Sequence, residues 1–164
     1  MDRRNFNRSI ASFFASAGGM FLFSSQLSAR EYLTVDQAQK ILFGGEVLTQ
    51  TRVKLTALQK KAIREASGIR VRRSYLAAWK ASGGGWFLLD QVIGKHEYID
   101  LAIALSSTGS IKGIEILNYR ESYGGDVRHK RWRAQFTGFT HNKKIRIDRE
   151  VMSITGATLS CRHI

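Results

Sequence analysis

Tyr98-Ile99-Asp100-Leu101-Ala102-Ile103-Ala104-Leu105, then Ser106-Ser107-Thr108-Gly109-Ser110, then Ile111-Lys112-Gly113-Ile114-Glu115-Ile116-Leu117-Asn118-Tyr119: this stretch decides the fold. Two apolar runs of strand length flank five small, mostly hydroxyl-bearing residues, which reads as a β-hairpin. Just upstream, Trp86 to Ile93 is a strong apolar run closed by Gly94, and Gly83-Gly84-Gly85 before it is a turn. Ile69-Arg70-Val71-Arg72 alternates strictly and Tyr75 to Trp79 continues the pattern loosely, so strands are expected there too. Consecutive hairpin-linked strands predict an antiparallel sheet. No helical pattern follows Gly83-Gly84-Gly85, so neither a P-loop nor a dinucleotide-binding turn is expected.

Further upstream the period changes. Thr34 is placed to cap a short helix from Val35 to about Phe43, stopped by Gly44-Gly45. Glu46 to Val53 suits a short strand. Thr56 caps a second helix, with Leu58, Ala62, Ile63 and Ala66 as its apolar stripe and Gly68 as terminator. The expected class is α+β: a twisted antiparallel sheet packed by helices. The expected organisation is residues 1–29 as an export signal, 30–68 as a helical leading segment without evident chemistry, and 69–164 as the main domain.

The reading of 1–29 rests on its layout. Arg3, Arg4 and Arg8 form a basic start, Ile10 to Leu27 is apolar and small, and Leu27-Ser28-Ala29 offers a cleavage site. Six Ser and Gly residues interrupt the apolar run, which weakens it as a membrane span. Arg3-Arg4-Asn5-Phe6 resembles the twin-arginine export motif; the general secretory route and a retained anchor are the alternatives. Localisation is then periplasmic, or on the outer face of the inner membrane.

The chain of 164 residues carries a formal charge of +13, no Pro and one Cys. Removing 1–29 takes away three Arg and Asp2 and leaves about +11. Such a charge attracts phosphate groups, acidic proteins or membrane surfaces. There is no zinc spacing and no recognisable nucleic-acid module, so nucleic acid is set aside as a partner. Cys161 is alone and forms no intramolecular disulfide. His96, His129 and His141 lack metal-ligand spacing, and no metal site or catalytic residue is assigned.

Two further stretches carry chemistry. Ile154-Thr155-Gly156-Ala157-Thr158-Leu159-Ser160 is small and hydroxyl-rich. Gly156 lets another group approach the backbone and takes positive φ at no steric cost. Tyr119-Arg120-Glu121-Ser122-Tyr123-Gly124-Gly125-Asp126 is a loop whose Gly residues expose backbone N–H groups. After it a helix is expected, with Asp126 as cap, Val127, Trp132 and Phe136 facing inward, and an end at Gly138. Phe139 to Ile147 is a basic strand or loop.

These stretches resemble the two anchors of the FMN-binding domain family, in the family's order. Thr155-Gly156-Ala157-Thr158 is similar to the Ser/Thr-Gly-Ala-Thr signature, whose last Thr receives FMN as a phosphoester from a flavin transferase. Glu121, Ser122 and Gly124 match a Glu-Thr-Pro-Gly-like loop, with Tyr123 in place of Pro. Gln135-Phe136-Thr137-Gly138 looks like the family's helix end. The resemblance spans roughly residues 75–164 and includes the flavin-bearing subunits of the sodium-pumping NADH:quinone oxidoreductase and the Rnf complex.

The resemblance implies FMN as cofactor, covalently bound at Thr158. The cofactor-binding set it implies is Thr155, Gly156, Ala157, Leu159, Glu121 and Ser122 around Thr158. The implied partners are a flavin transferase and a redox partner protein, such as a membrane electron-transfer complex. The implied role is electron transfer, with a flavin-dependent reductase open as an enzymatic reading. The competing class is a non-redox basic binding module of the same fold that has lost the flavin. Its support is a departure from the pattern: Met152 stands where the signature usually has Asp, and Asp148 is the nearest acid upstream. The family also generally runs on into another helix after the motif, so the acceptor segment is expected to lack that cover.

Overall fold

A computed structural model describes residues 30–164 of the protein; the expected export signal at 1–29 lies outside the described residues. Six strands form one antiparallel sheet: β1 (Arg30–Glu31), β2 (Leu48–Lys54), β3 (Tyr75–Ala81), β4 (Trp86–Ile93), β5 (Tyr98–Leu105) and β6 (Ile111–Tyr119). Their order is β1-β6-β5-β4-β3-β2. Strands β3 to β6 make a meander, as the hairpin-linked runs predict. The leading segment supplies both edges: β1 pairs with the end of β6, and β2 pairs along all of β3. Four helices accompany the sheet: α1 (Val35–Phe43), α2 (Ala57–Ser67), α3 (Lys130–Arg133) and α4 (Thr158–His163). The class is α+β, as expected.

Local chemistry explains the helix limits. Thr34 and Thr56 each open a capping box, with Gln37 and Gln59 as the reciprocal partners. Gly44 and Gly68 close α1 and α2 in the left-handed conformation, donating N–H to Lys40 and Arg64. Burial then separates the two helices. Helix α1 buries Ala38 and Phe43 against a core of Phe87, Ala102, Ala104 and Leu117. Gly113 on β6 lets α1 close in, since a Cβ there would meet Leu42 Cδ2 at 2.9 Å. Helix α2 buries no residue.

The opposite face of β5 and β6 carries the second core. Ile99, Leu101, Ile114 and Ile116 lie under Val127, Trp132, Phe136, Val151 and Cys161. The expected inward-facing trio of Val127, Trp132 and Phe136 is therefore buried. The helix expected to carry them is broken, however, into 3-10 turns at Gly125–Arg128 and Ala134–Phe136 on either side of α3. No side chain caps the first turn. Partly buried Arg133 interrupts the apolar pattern, donating to Ile114 O at 2.7 Å and pairing with Glu115 at 2.7 Å. This pair and the Gly138–Ile111 and Ile111–Phe139 backbone bonds cover the free edge of β6.

A further expectation is corrected. Residues 69–72 are not a strand, because β2 already occupies the edge of β3 and leaves no ladder partner for them. Residues 139–147 form a loop, one of the two forms expected for them. The segment after the motif is also covered: α4 buries Ser160 and Cys161, and Ile164 packs on the second core.

Candidate functional site

Strand β6 ends at Tyr119, whose ring is buried and whose hydroxyl donates to Tyr123 O at 2.5 Å and lies within hydrogen-bond distance of Ser160 Oγ, at 3.3 Å. One side chain thus ties the loop after β6 to the start of α4, across 41 residues of sequence. Burial is the main reason its pKa lies above the ordinary value; the Ser160 hydrogen bond pulls the other way, and nearby Glu121 adds to the rise. Gly124 completes the junction. Its φ is +80°, and a Cβ there would stand 2.0 Å from Ala157 Cβ and 2.9 Å from the Tyr119 hydroxyl. Backbone meets side chain so closely that only glycine fits.

This junction closes one wall of a cleft of about 380 Å³. Glu121, Ser122 and Tyr123 come from the loop after β6; Gly156, Ala157, Thr158, Leu159 and Ser160 come from the motif; Lys95 and His96 come from the β4–β5 turn. The structure therefore brings together six of the seven residues singled out in the sequence. Thr155 is exposed and does not line the cleft. Thr158 is exposed at the first position of α4, after Gly156 has turned the chain with φ +80°. Ala157 anchors that turn, buried against Gly124.

Glu121 has a second task. Its Oε1 accepts from His96 N at 2.6 Å and Glu97 N at 3.0 Å, so it holds the β4–β5 turn. Burial works against its ionisation, but the N–H groups of Glu97, His96 and Lys95 outweigh it and keep the carboxyl below its ordinary pKa. Gly94 makes room: a Cβ there would lie 2.4 Å from the same oxygen. The carboxylate thereby fixes Lys95 and His96 at the cleft. The sequence singles out His96 only as a histidine without metal-ligand spacing and does not single out Lys95. Their only local signal is the Gly94-Lys95-His96-Glu97 turn between two strands.

The residues before the motif are pinned without Met152's side chain, which is 73% exposed. Met152 uses its backbone instead, donating to Gln135 Oε1 at 2.8 Å and accepting from Trp132 Nε1 at 2.8 Å. Asp148, the only described non-glycine residue with positive φ, accepts from Ser153 Oγ at 2.6 Å. Its carboxylate is thus engaged in holding this loop. Cys161 faces the core; burial raises its thiol pKa, which leaves it a packing residue. Among the described residues no group of three or more His, Cys, Asp or Glu side chains is gathered for a metal.

Sheet, junction and hydroxyl-lined cleft define an α+β domain with a candidate binding site made where two distant loops meet. Residues 94–164 match the model of the FMN-binding domain family, so this part of the chain is an FMN-binding domain with FMN as its cofactor. No curated protein matches the chain. The cleft suits this cofactor chemically. It offers the hydroxyls of Ser122 and Thr158, exposed loop backbone, and Lys95 and His96 for a ligand that carries a phosphate.

Proposed function

We propose that the protein carries FMN as a phosphoester on Thr158 and works as an exported electron carrier. One observation carries the attachment site: Thr158 lines the cleft and is exposed, whereas Thr155 stands outside it and Ser160 is buried against the Tyr119 hydroxyl. Thr158 Oγ1 forms the ester with net loss of water. A threonine hydroxyl is a weak nucleophile, and the nearby carboxylate, Glu121, is engaged by the β4–β5 turn. Activation is therefore the work of a flavin transferase.

Bound FMN supplies reversible electron transfer. The chain's residues supply its setting. Tyr119, Gly124 and Ala157 keep the two walls together, and Glu121 keeps Lys95 and His96 at the cleft. The Lys95 cation favours negative charge on a nearby cofactor, which raises its reduction potential. A cleft of about 380 Å³ lies at the small end of ligand sites and leaves part of a bound flavin open to a redox partner. That exposure suits a carrier better than a substrate-specific enzyme.

Co-expression with a flavin transferase, acid precipitation and intact mass test the attachment. The expected product stays yellow in the precipitate and gains one FMN less one water. Thr158→Ala abolishes the gain and Thr155→Ala keeps it; an adduct surviving in Thr158→Ala contradicts the assignment. Export rests on the basic and apolar layout of residues 1–29, with Leu27-Ser28-Ala29 as the cleavage site. The mature protein is expected to begin at Arg30, and N-terminal sequencing that reads Met1 contradicts it.

A further inference from the structure

Helix α2 is amphipathic, yet no core receives it. At 100° per residue, Leu58, Ala62 and Ala66 fall on one arc with Ile63 at its margin, while Lys60, Lys61 and Arg64 fill the remainder. Leu58 is 77% exposed and Ile63 41%. An isolated helix of this length is marginal in water, and its capping box and Gly68 supply only local support. Among the described residues its one side-chain hydrogen bond to the sheet side runs from Lys60 Nζ to Ser74 Oγ, at 2.7 Å.

The charge around α2 is one-sided. Residues 52–73 carry eight Lys and Arg against a single acid, Glu65. Among the described residues only Lys61 of these eight has a carboxylate within 4 Å, that of Glu65 at 3.9 Å. Arg52 and Arg72 lie over the Tyr75 and Tyr98 rings, and Arg73 reaches Gln91. None of these contacts neutralises a charge. Ile63, Ile69, Arg70 and Arg72 line one groove, so the cations of the 69–73 loop continue the face of α2.

We propose that this face docks the domain on an anionic lipid surface. Leu58 and its apolar arc enter the headgroup boundary, and the Lys and Arg side chains meet lipid phosphates. A basic helix with exposed aliphatic residues is the pattern that lies in a bilayer interface. An acidic protein would satisfy the charges but gives Leu58 no reason to stand exposed among them. A lipid surface satisfies both and needs no shaped partner. No residue of 52–73 lines the FMN cleft, so docking leaves that lining free. A second basic stretch, residues 128–149, has part of its charge engaged: Arg133 pairs with Glu115 and Arg146 with Glu150.

The test uses the full chain with Ala62→Cys, labelled by a polarity-sensitive dye absorbing outside the flavin bands. Ala62 is exposed and the native Cys161 is buried, so the dye reports on α2 alone. Phosphatidylcholine vesicles containing phosphatidylglycerol should shift the emission to the blue; pure phosphatidylcholine vesicles should not. Lys61→Glu with Arg64→Glu should raise the lipid concentration for half-maximal shift more than about tenfold. Lys143→Glu with Lys144→Glu, an equal change of net charge, should alter it less than about twofold. Leu58→Ser should weaken binding severalfold with the circular dichroism spectrum unchanged. No blue shift, an equal shift on neutral vesicles, or equal loss in both charge-reversed pairs overturns the proposal. If Leu58→Ser binds as the parent does, the proposal also falls, and an acidic macromolecule becomes the partner to seek.

Discussion

The junction at Tyr119, Gly124 and Ala157 and the segment from Leu55 to Arg73 are built on opposite terms. At the junction three residues from two distant parts of the chain meet at contact distance, with glycine enforced by both φ and packing. In the segment an eleven-residue helix ends cleanly at both caps and buries nothing. The first arrangement fixes a cleft and tolerates little change. The second presents a surface, and its side chains are free to be chosen for what lies outside the molecule.

Substitution separates the two regions. Gly124→Ala should have the largest effect. It combines a strained positive φ with overpacking on Ala157, and should destabilise the fold by about 2–4 kcal/mol. Denaturant unfolding measures this, and a loss below about 0.5 kcal/mol would mean that the junction is looser than described.

Glu121 gives an intermediate effect that depends on pH. Its folded pKa lies below the ordinary 4.5, so its stabilisation is present above about pH 4.5 and is lost as pH falls through the folded value. Glu121→Gln should therefore flatten the acid limb of the stability curve, and parallel acid limbs would show that the turn does not rely on the carboxylate. Leu58→Ser should have the smallest effect, within about 0.5 kcal/mol by thermal or denaturant unfolding. A larger loss would mean that α2 has a core partner after all.

What the sequence made legible follows the range of the forces involved. The two helix starts and stops were readable because a capping box and a left-handed glycine act within a few residues. The β3–β6 meander was readable because each strand pairs with its neighbour in sequence. Ile69 to Arg72 alternates like a strand and is none, because pairing needs a free edge and β2 had taken it. The fate of α2 was hidden for the same reason: α1 and α2 carry equal local signals, and only the sheet beneath α1 distinguishes them.

The site divides in the same way. Glu121, Ser122 and the Gly156–Ser160 run stand out by composition and by family resemblance. Lys95 and His96 do not, since they reach the cleft only through a turn that Glu121 holds from 24 or more residues away. The exclusion of Thr155 from the cleft could not be read either, because it depends on the direction Gly156 gives the chain.

The position of the attached flavin is the most direct test of Thr158 as acceptor. Fragmentation of the flavin-bearing peptide, after co-expression with a transferase, should place the FMN on Thr158. Thr158→Ser should keep the adduct and Thr158→Ala should lose it. An FMN found on Thr155 or Ser160 in the parent chain, or no FMN under conditions that modify a member of the FMN-binding domain family, would contradict it.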